Sequence, residues 1–200
     1  MMDFVGLAVG MGAEEIPAIA SEMGVEPAVL RAVLTVETGG RGFDAYGRPK
    51  ALFERHYFYR FLANQPDKQA LAVGAGLAYP KWGERPYPKG SDAVYAEIEA
   101  ACEIDLDCAL RSVSWGLGQI MGNNHKMVGF DSAEDMVKDA MASEANQLKQ
   151  MVAFINAANL LDELKNKDWA GFAKGYNGPA YAKNQYDAKL AAAYDKYKLA

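Results

Sequence analysis

The chain has 200 residues and a mass of 21.7 kDa, a length that predicts one large domain over residues 1–200 with a sizeable hydrophobic core. Half of the residues are hydrophobic and 24% are charged, which excludes a disordered or fibrous chain. The 21 Lys and Arg residues against 26 Asp and Glu residues give a net charge of −5. This balance argues against a nucleic-acid partner, because phosphate backbones are bound by a basic face.

Helical periodicity dominates the chain and predicts a mostly α fold. Two helices are expected near the N-terminus, one from Ile16 to a stop at Gly24 and one that begins at Pro27 and ends at the glycines 39–40. Further helices are expected around residues 95–102, from a capping box at 132–135, over 148–155 and over 186–197. The helix at 95–102 is expected to be capped by Ser91 or Asp92.

Two stretches interrupt the helical pattern. Residues 39–56 hold four glycines and Pro49, and residues 52–56 have the composition of a short strand, so a small β-hairpin is expected here. Residues 79–90 contain three prolines and are expected to form a structured loop.

Glu37 is the first candidate for a catalytic group. It lies four residues after Val33 and three after Leu34, so it projects from the apolar stripe of its own helix. Partial burial and the negative end of the helix dipole would both raise its pKa, as a general acid requires. The alternative is a helix-end glutamate that points into solvent, and spacing alone leaves both interpretations open.

Glu54 is the second carboxylate of interest. A hairpin over residues 39–56 would bring Glu54 back toward Glu37 across a cleft. Two carboxyl groups that face a bond between sugars suit glycoside hydrolysis. The alternative is a structural glutamate that pairs with Arg55, Arg60 or a backbone amide.

Two further stretches have a composition that suits a polar ligand. Residues 114–122 combine three glycines with Ser114, Trp115 and Gln119, which indicates either a sugar-binding loop or a tight turn packed into the core. Tyr176 and Asn177 precede Gly-Pro and have the composition of a turn.

Taken together, these segments resemble the N-acetylmuramidase domain of phage endolysins, a branch of the lysozyme-like superfamily. Four motifs occur in order: VETGG at residues 36–40, GRPKALFERH at 47–56, SWGLGQIMG at 114–122 and GYNGP at 175–179. The resemblance runs from about Ile16 to Tyr197, so a single catalytic domain without a separate peptidoglycan-binding module is expected.

The resemblance implies a lysozyme-like α+β fold, with two helical lobes and a small β-hairpin beside the active-site cleft. It implies that Glu37 is the general acid that cleaves the β-1,4 bond between N-acetylmuramic acid and N-acetylglucosamine, without metal or organic cofactor. Glu54 matches a family position whose role as base, stabiliser or scaffold stays open. The residues expected to bind the sugar chain are Thr38, which replaces the more usual Ser, Ser114, Gly116, Gln119, Tyr176 and Asn177.

The nearest alternative has the same fold. A lytic transglycosylase uses one acid and closes a 1,6-anhydro ring on the muramic acid, and the motifs at residues 116–119 and 176–177 occur in both groups of enzymes. The sequence leaves this choice open.

Other chemistries fit the sequence less well. A zinc amidase needs clustered ligands, and His56 and His125 are the chain's two histidines. A Cys–His nucleophile would need Cys102 or Cys108, which lie among apolar residues and are expected to be reduced thiols or, at most, one local bridge. A non-catalytic wall-binding module would not need Glu37.

The expected partner is the glycan strand of peptidoglycan, bound by a monomer. No apolar run approaches the ~20 residues of a membrane-spanning helix, and the first ten residues carry Asp3 but no Lys or Arg. We therefore expect no stable membrane insertion. We expect accumulation in the host cytoplasm, release by a separate protein that makes membrane lesions, and action on the wall in the periplasm.

Overall fold

The computed structural model describes residues 2–179 and 181–199, and most of these residues are helical. The α-helices in chain order are α1 (Glu15–Met23), α2 (Pro27–Thr38), α3 (Arg55–Phe61), α4 (Pro66–Gly74), α5 (Ser91–Ile104), α6 (Leu106–Arg111), α7 (Ala133–Ala142), α8 (Glu144–Ala157), α9 (Leu161–Asn166), α10 (Trp169–Asn177) and α11 (Tyr186–Tyr197). Short 3₁₀ turns lie at Gly122–Asn124 and Tyr181–Asn184. Within this described part of the chain, no helix is long and apolar enough to cross a membrane.

Local signals place several helix ends where the sequence predicts them. Helix α2 begins with Pro27 in its first turn and ends at Gly39, whose φ of 68° lets the N–H of the next residue, Gly40, reach the carbonyl of Leu34. The side chain of Ser132 caps α7 as expected. The predicted side-chain cap of α5 is wrong, because Ser91 is already helical and Gly90 precedes it without a capping side chain.

The predicted hairpin over residues 39–56 differs from the observed sheet. Its strands are β1 (Ala51–Phe53), β2 (Val113–Trp115) and β3 (Ile120–Met121), all antiparallel in the order β1-β2-β3. Residues 43–49 form a tight turn closed by one isolated bridge. Strand β1 pairs with β2, which is distant in the sequence, and not with the residues just before it. The true hairpin is β2–β3, and Arg55 and His56 belong to helix α3 instead of a strand.

Two hydrophobic cores divide the molecule into the two expected lobes. The sheet lobe comprises the sheet and α3 to α7, and its core includes Phe53, Tyr95 and Trp115. The helical lobe comprises α1, α2 and α8 to α11, and its core includes Leu30 and Phe172. Helix α8 contributes to both cores and so connects the two lobes.

Candidate active site

Glu37 lies in the last turn of α2, partly buried at the floor of a cleft between the lobes. Its Oε1 accepts a hydrogen bond of 3.0 Å from Nδ2 of Asn177. Burial raises the pKa of Glu37 to about 7, although the Asn177 amide favours the ionised form. The expectation of a carboxyl group with a raised pKa is therefore confirmed, and Glu37 holds a proton for much of the time near neutral pH.

Glu54 lies on the sheet-lobe side of the same cleft, between the end of β1 and the start of α3. Its Oε2 accepts a hydrogen bond of 2.7 Å from the hydroxyl of Tyr87 and lies 3.3 Å from Nδ1 of His56. Burial raises the pKa of Glu54, and the Tyr87 hydrogen bond opposes that rise. The alternative pairing with Arg55 is wrong, because Arg55 forms its ion pair with Glu97.

The β2–β3 hairpin carries the motif at residues 116–119 as its turn. Ser114 donates to Oε1 of Gln119 over 3.0 Å, and Nε2 of Gln119 donates to the carbonyls of Gly116 and Lys50. Both Ser114 and Gln119 line the cleft. Because these polar atoms bond to one another, the pair fixes the shape of the cleft wall.

Gly116 lies beneath this wall instead of facing the cleft. It is buried with a φ of 66°, and a Cβ there would come within 2.7 Å of the Gln147 side chain. Oε1 of Gln147 accepts from the N–H of Leu117, and its Nε2 donates to Ala140. The structure thus places the predicted substrate-binding Gly116 in the support of the hairpin, because a side chain there would displace Gln147.

Thr38 and Lys50 join the end of α2 to the sheet lobe. The hydroxyl of Thr38 lies 3.3 Å from the carbonyl oxygen of Leu34 and 3.4 Å from that of Leu117. The carbonyl of Thr38 accepts a hydrogen bond of 2.5 Å from Nζ of Lys50. Both residues line the cleft, and Lys50 places a positive charge at the negative end of α2. Sequence reasoning missed Lys50, because its partner becomes a neighbour only in the fold.

Tyr176 and Asn177 end helix α10, with Gly178 as its C-cap, so the prediction that they form a turn is wrong. The Tyr176 hydroxyl donates over 2.6 Å to the carbonyl of Gly118, and its ring stacks on Phe172. Tyr176 therefore connects the helical lobe to the hairpin of the sheet lobe. This places Asn177 against Glu37.

The cleft has three connected sections that all include Leu52. The central section, of about 540 Å³, contains both Glu37 and Glu54. One flanking section, of about 530 Å³, includes Thr38 and Lys50. The other, also about 530 Å³, lies beyond Glu54. Such a long groove, with two carboxyl groups at its centre, suits an extended polymer more than a small molecule.

The cysteines take no part in this site. Both are free, and burial raises the pKa of Cys102 and of Cys108 to about 12, so each is a neutral thiol at pH 7. Cys108 contacts the carbonyl of Phe61 within the sheet lobe. Within residues 2–179 and 181–199, no group of three or more His, Cys, Asp or Glu side chains could hold a metal ion.

Comparisons with known proteins agree with this geometry. Residues 26–198 match the family described as Muramidase, N-acetylmuramidase. The crystal structure of the Burkholderia AP3 phage endolysin is 40% identical, with a TM-score of 0.82, over 100% of this chain and 74% of that chain. No curated protein matches the chain. These matches do not favour the transglycosylase alternative, and they show that the chain belongs to the N-acetylmuramidase family of peptidoglycan-degrading glycoside hydrolases, with the mostly α, lysozyme-like fold of a phage endolysin.

Proposed function

We propose that the chain hydrolyses the β-1,4 bond between N-acetylmuramic acid and N-acetylglucosamine, with Glu37 as the general acid. The observation that carries this proposal is a partly buried carboxyl group at the centre of the cleft, with its pKa raised to about 7. Such a group keeps a proton that it can deliver to the oxygen of the leaving sugar as the bond breaks.

Asn177 is proposed to hydrogen-bond to Glu37 in both protonation states of the acid. Its Nδ2 donates to Glu37, while its Oδ1 is buried and has no hydrogen-bond partner within the described residues. A half-turn of the amide would present Oδ1 as an acceptor to protonated Glu37. The same side chain therefore suits both the ionised and the protonated acid, which supports its place in the site.

Glu54 is the proposed second carboxylate of the reaction. It lines the same central section as Glu37; burial raises the pKa of Glu54, and the Tyr87 hydrogen bond opposes that rise by favouring the ionised form. An ionised carboxylate there can activate water or attack the sugar carbon directly. These two roles give opposite anomeric configurations at the new reducing end, so the configuration of the product assigns the role.

The remaining predicted residues are proposed to form the walls of the sugar site. Thr38, Ser114, Gln119 and Tyr176 line the cleft and are held by hydrogen bonds to their neighbours. Walls of this kind keep their shape as the glycan strand enters, which limits the ordering cost of binding.

The site of action follows from the substrate. We propose that the protein accumulates in the host cytoplasm, passes through membrane lesions made by another protein and cleaves the wall from the periplasm as a monomer. The similarity to a phage endolysin supports this route. Host cells that express the chain should stay intact until a lesion-forming protein is co-expressed, and lysis by the chain alone would contradict the route.

Product analysis in H₂¹⁸O tests the reaction. Purified peptidoglycan is digested in labelled water, and the soluble fragments are examined by mass spectrometry. Hydrolysis predicts muramic acid reducing ends that carry one ¹⁸O atom. Glu37→Gln should release them roughly a hundredfold or more slowly, while Glu22→Gln, a change at an exposed glutamate of α1, should match the parent. Unlabelled 1,6-anhydro ends would make the enzyme a transglycosylase, and free peptides without new sugar ends would contradict glycan cleavage.

A further inference from the structure

The loop between α4 and α5 carries an exposed aromatic side chain that the proposed reaction does not use. The indole of Trp82 is 64% exposed, whereas Trp115 is 1% exposed and Trp169 is partly buried. Exposing a large apolar ring to water is unfavourable, and such rings are enriched at binding surfaces. The exposed ring of Trp82 therefore indicates a binding surface.

A chain of hydrogen bonds holds the indole in place. Nε1 of Trp82 donates to the hydroxyl of Tyr87 over 3.1 Å, and that hydroxyl donates to Oε2 of Glu54 over 2.7 Å. Burial and the neighbouring carboxylate raise the pKa of Tyr87, so its hydroxyl stays protonated and remains a donor. Trp82 is thus anchored at its nitrogen while most of its surface stays exposed.

Trp82 also lies on the groove that contains the two glutamates. It lines the flanking section of about 530 Å³ beyond Glu54, together with Tyr87. That section shares Leu52, Asn177 and Tyr186 with the central section. A strand bound across Glu37 and Glu54 would therefore run on past Trp82.

The surroundings of Trp82 favour a sugar over a protein or a lipid. Lys81, Glu84 and Arg85 lie beside it in the loop, so the apolar area is one ring set among charges of both signs. A pyranose ring has the matching chemistry, with apolar C–H faces that stack on an aromatic ring and hydroxyl groups around its edge that reach polar neighbours.

Resting on the proposed function, we propose that Trp82 is the stacking platform for one pyranose ring of the glycan strand, in a subsite on the Glu54 side of the cleft. Tyr87 acts as a positioning residue that couples this platform to Glu54. Occupation of the subsite would hold both the indole and the Glu54 carboxylate in the arrangement seen here.

Fluorescence quenching by iodide tests the subsite directly. The probe is soluble glycan strands freed of their stem peptides, and the Glu37→Gln variant is used so that the strands stay intact. Strands should protect part of the tryptophan emission from iodide. This protected emission should be absent when Trp82→Phe is added, because Trp82 is the exposed indole.

Affinity measurements in the same Glu37→Gln background supply the energetic test. Trp82→Ala should weaken strand binding roughly fivefold to tenfold, the size expected for loss of one aromatic contact, while Trp82→Phe should keep most of the affinity. Leu71→Ala, a change at an apolar residue of α4 that is 60% exposed and outside the cleft, is the matched control and should bind like the background protein.

The outcomes separate the subsite from the reaction. If the parent releases sugar ends while strands leave Trp82 open to iodide and Trp82→Ala keeps the affinity, the subsite is wrong and the reaction stands. If the parent releases no sugar ends and strands do not bind, the proposed function fails and the subsite fails with it.

Discussion

At the scale of single residues, the two glutamates differ in what surrounds them. Glu37 is held by the Asn177 amide, and burial raises its pKa to about 7. Burial also raises the pKa of Glu54, but Glu54 accepts a hydrogen bond from the Tyr87 hydroxyl, which opposes that rise. Two carboxyl groups in one cleft with different environments can act in different protonation states, which is how an acid and an ionised partner coexist at one pH.

The raised pKa of Glu37 predicts a pH-dependent cost to stability. In the unfolded chain Glu37 titrates near 4.5, so below that pH it is protonated in both states and costs nothing. Between pH 4.5 and about 7 the unfolded chain ionises Glu37 while the folded protein keeps the proton, so the cost to stability grows over this range and is constant at higher pH. Glu37→Gln should therefore be more stable than the parent at pH 8.5, by roughly 3 kcal/mol. Thermal unfolding of both proteins at pH 4 and 8.5 measures this difference.

The matched control for that comparison is Glu22→Gln, at an exposed glutamate of α1. It should unfold like the parent at both pH values. A Glu37→Gln protein that is no more stable than the parent at pH 8.5 would show that Glu37 has an ordinary pKa, and the argument for a proton donor would lose its basis.

The hydrogen bond from Tyr87 predicts a shift in the acid limb of the rate profile. Tyr87→Phe keeps the ring but removes the donor that favours ionised Glu54, so the pKa of Glu54 should rise. If Glu54 works as a carboxylate, the acid limb of kcat/KM then moves to higher pH. A rate that falls equally at every pH, with the limb unmoved, would assign Tyr87 a purely structural role.

At the scale of elements, the β2–β3 hairpin organises the cleft. Its turn holds Gln119 with a φ of 47°, an uncommon conformation for a residue with a side chain. The turn is supported from below by Gln147 of α8 and from the side by Tyr176 of α10. A short hairpin is marginal alone, so these helices determine its shape.

A methyl group at Gly116 tests this support. Gly116→Ala combines a strained φ of 66° with a contact of 2.7 Å to Gln147, so it should destabilise the protein by roughly 2 to 4 kcal/mol. Gly24→Ala is the matched control, because its φ of 68° is similar but its nearest neighbour, a Lys165 carbon, is 3.5 Å away. Chemical denaturation should show a clearly larger loss for Gly116→Ala, and equal losses would contradict the role of Gln147.

Elements with local signals were predictable from the sequence, and elements formed by distant pairing were not. The ends of α1 and α2 follow from Gly24, Pro27 and Gly39, because a helix stop or start depends on a few adjacent residues. The pairing of β1 with β2 joins segments far apart in the chain, and no local pattern specifies such a partner. Asn177-Gly178 has the composition of a turn, yet packing extends α10 through Asn177.

At the scale of the whole molecule, the N-terminal segment ties the lobes together. Phe4 inserts into the sheet lobe, with its ring 5.7 Å from that of Trp115. Further along, Met11 packs against the helical lobe, and its N–H donates to Glu144 at the start of α8. The other carboxylate oxygen of Glu144 accepts from Gly42, just beyond the helix that carries Glu37. The segment therefore contacts both lobes and, through Glu144, is linked to the chain that follows α2.

Replacement of the Phe4 side chain by that of alanine tests whether the segment belongs to the folded core. The residue is 2% exposed, so Phe4→Ala should cost about 3 to 5 kcal/mol of stability through lost burial and the cavity that remains. Leu7→Ala, in the same segment but 83% exposed, should leave stability unchanged. Equal unfolding midpoints in denaturant for the parent and Phe4→Ala would show that the segment is not part of the folded core.

The site itself was only partly predictable at this scale. Glu37 stands out because it lies on the apolar stripe of its own helix, whereas Glu54 is expected in the cleft through a hairpin over residues 39–56, in place of which β1 pairs with β2. Gln147, Lys50 and Tyr87 gave no such signal, because each acts through a partner that only the fold brings near. Trp82 did carry a signal, an aromatic residue in a proline-rich loop, but its position on the groove depends on how that loop folds back over Glu54.

The most direct test of the account is the dependence of kcat/KM on pH, measured on soluble glycan strands from pH 4 to 9. If Glu37 donates the proton, kcat/KM should fall tenfold per pH unit above a pKa of about 7, because the ionised form cannot protonate the leaving oxygen. Glu37→Gln should lose roughly a hundredfold or more of the activity, without this limb. A profile that stays level through pH 9, or a Glu37→Gln protein that remains active, would contradict the assignment of Glu37 as the acid.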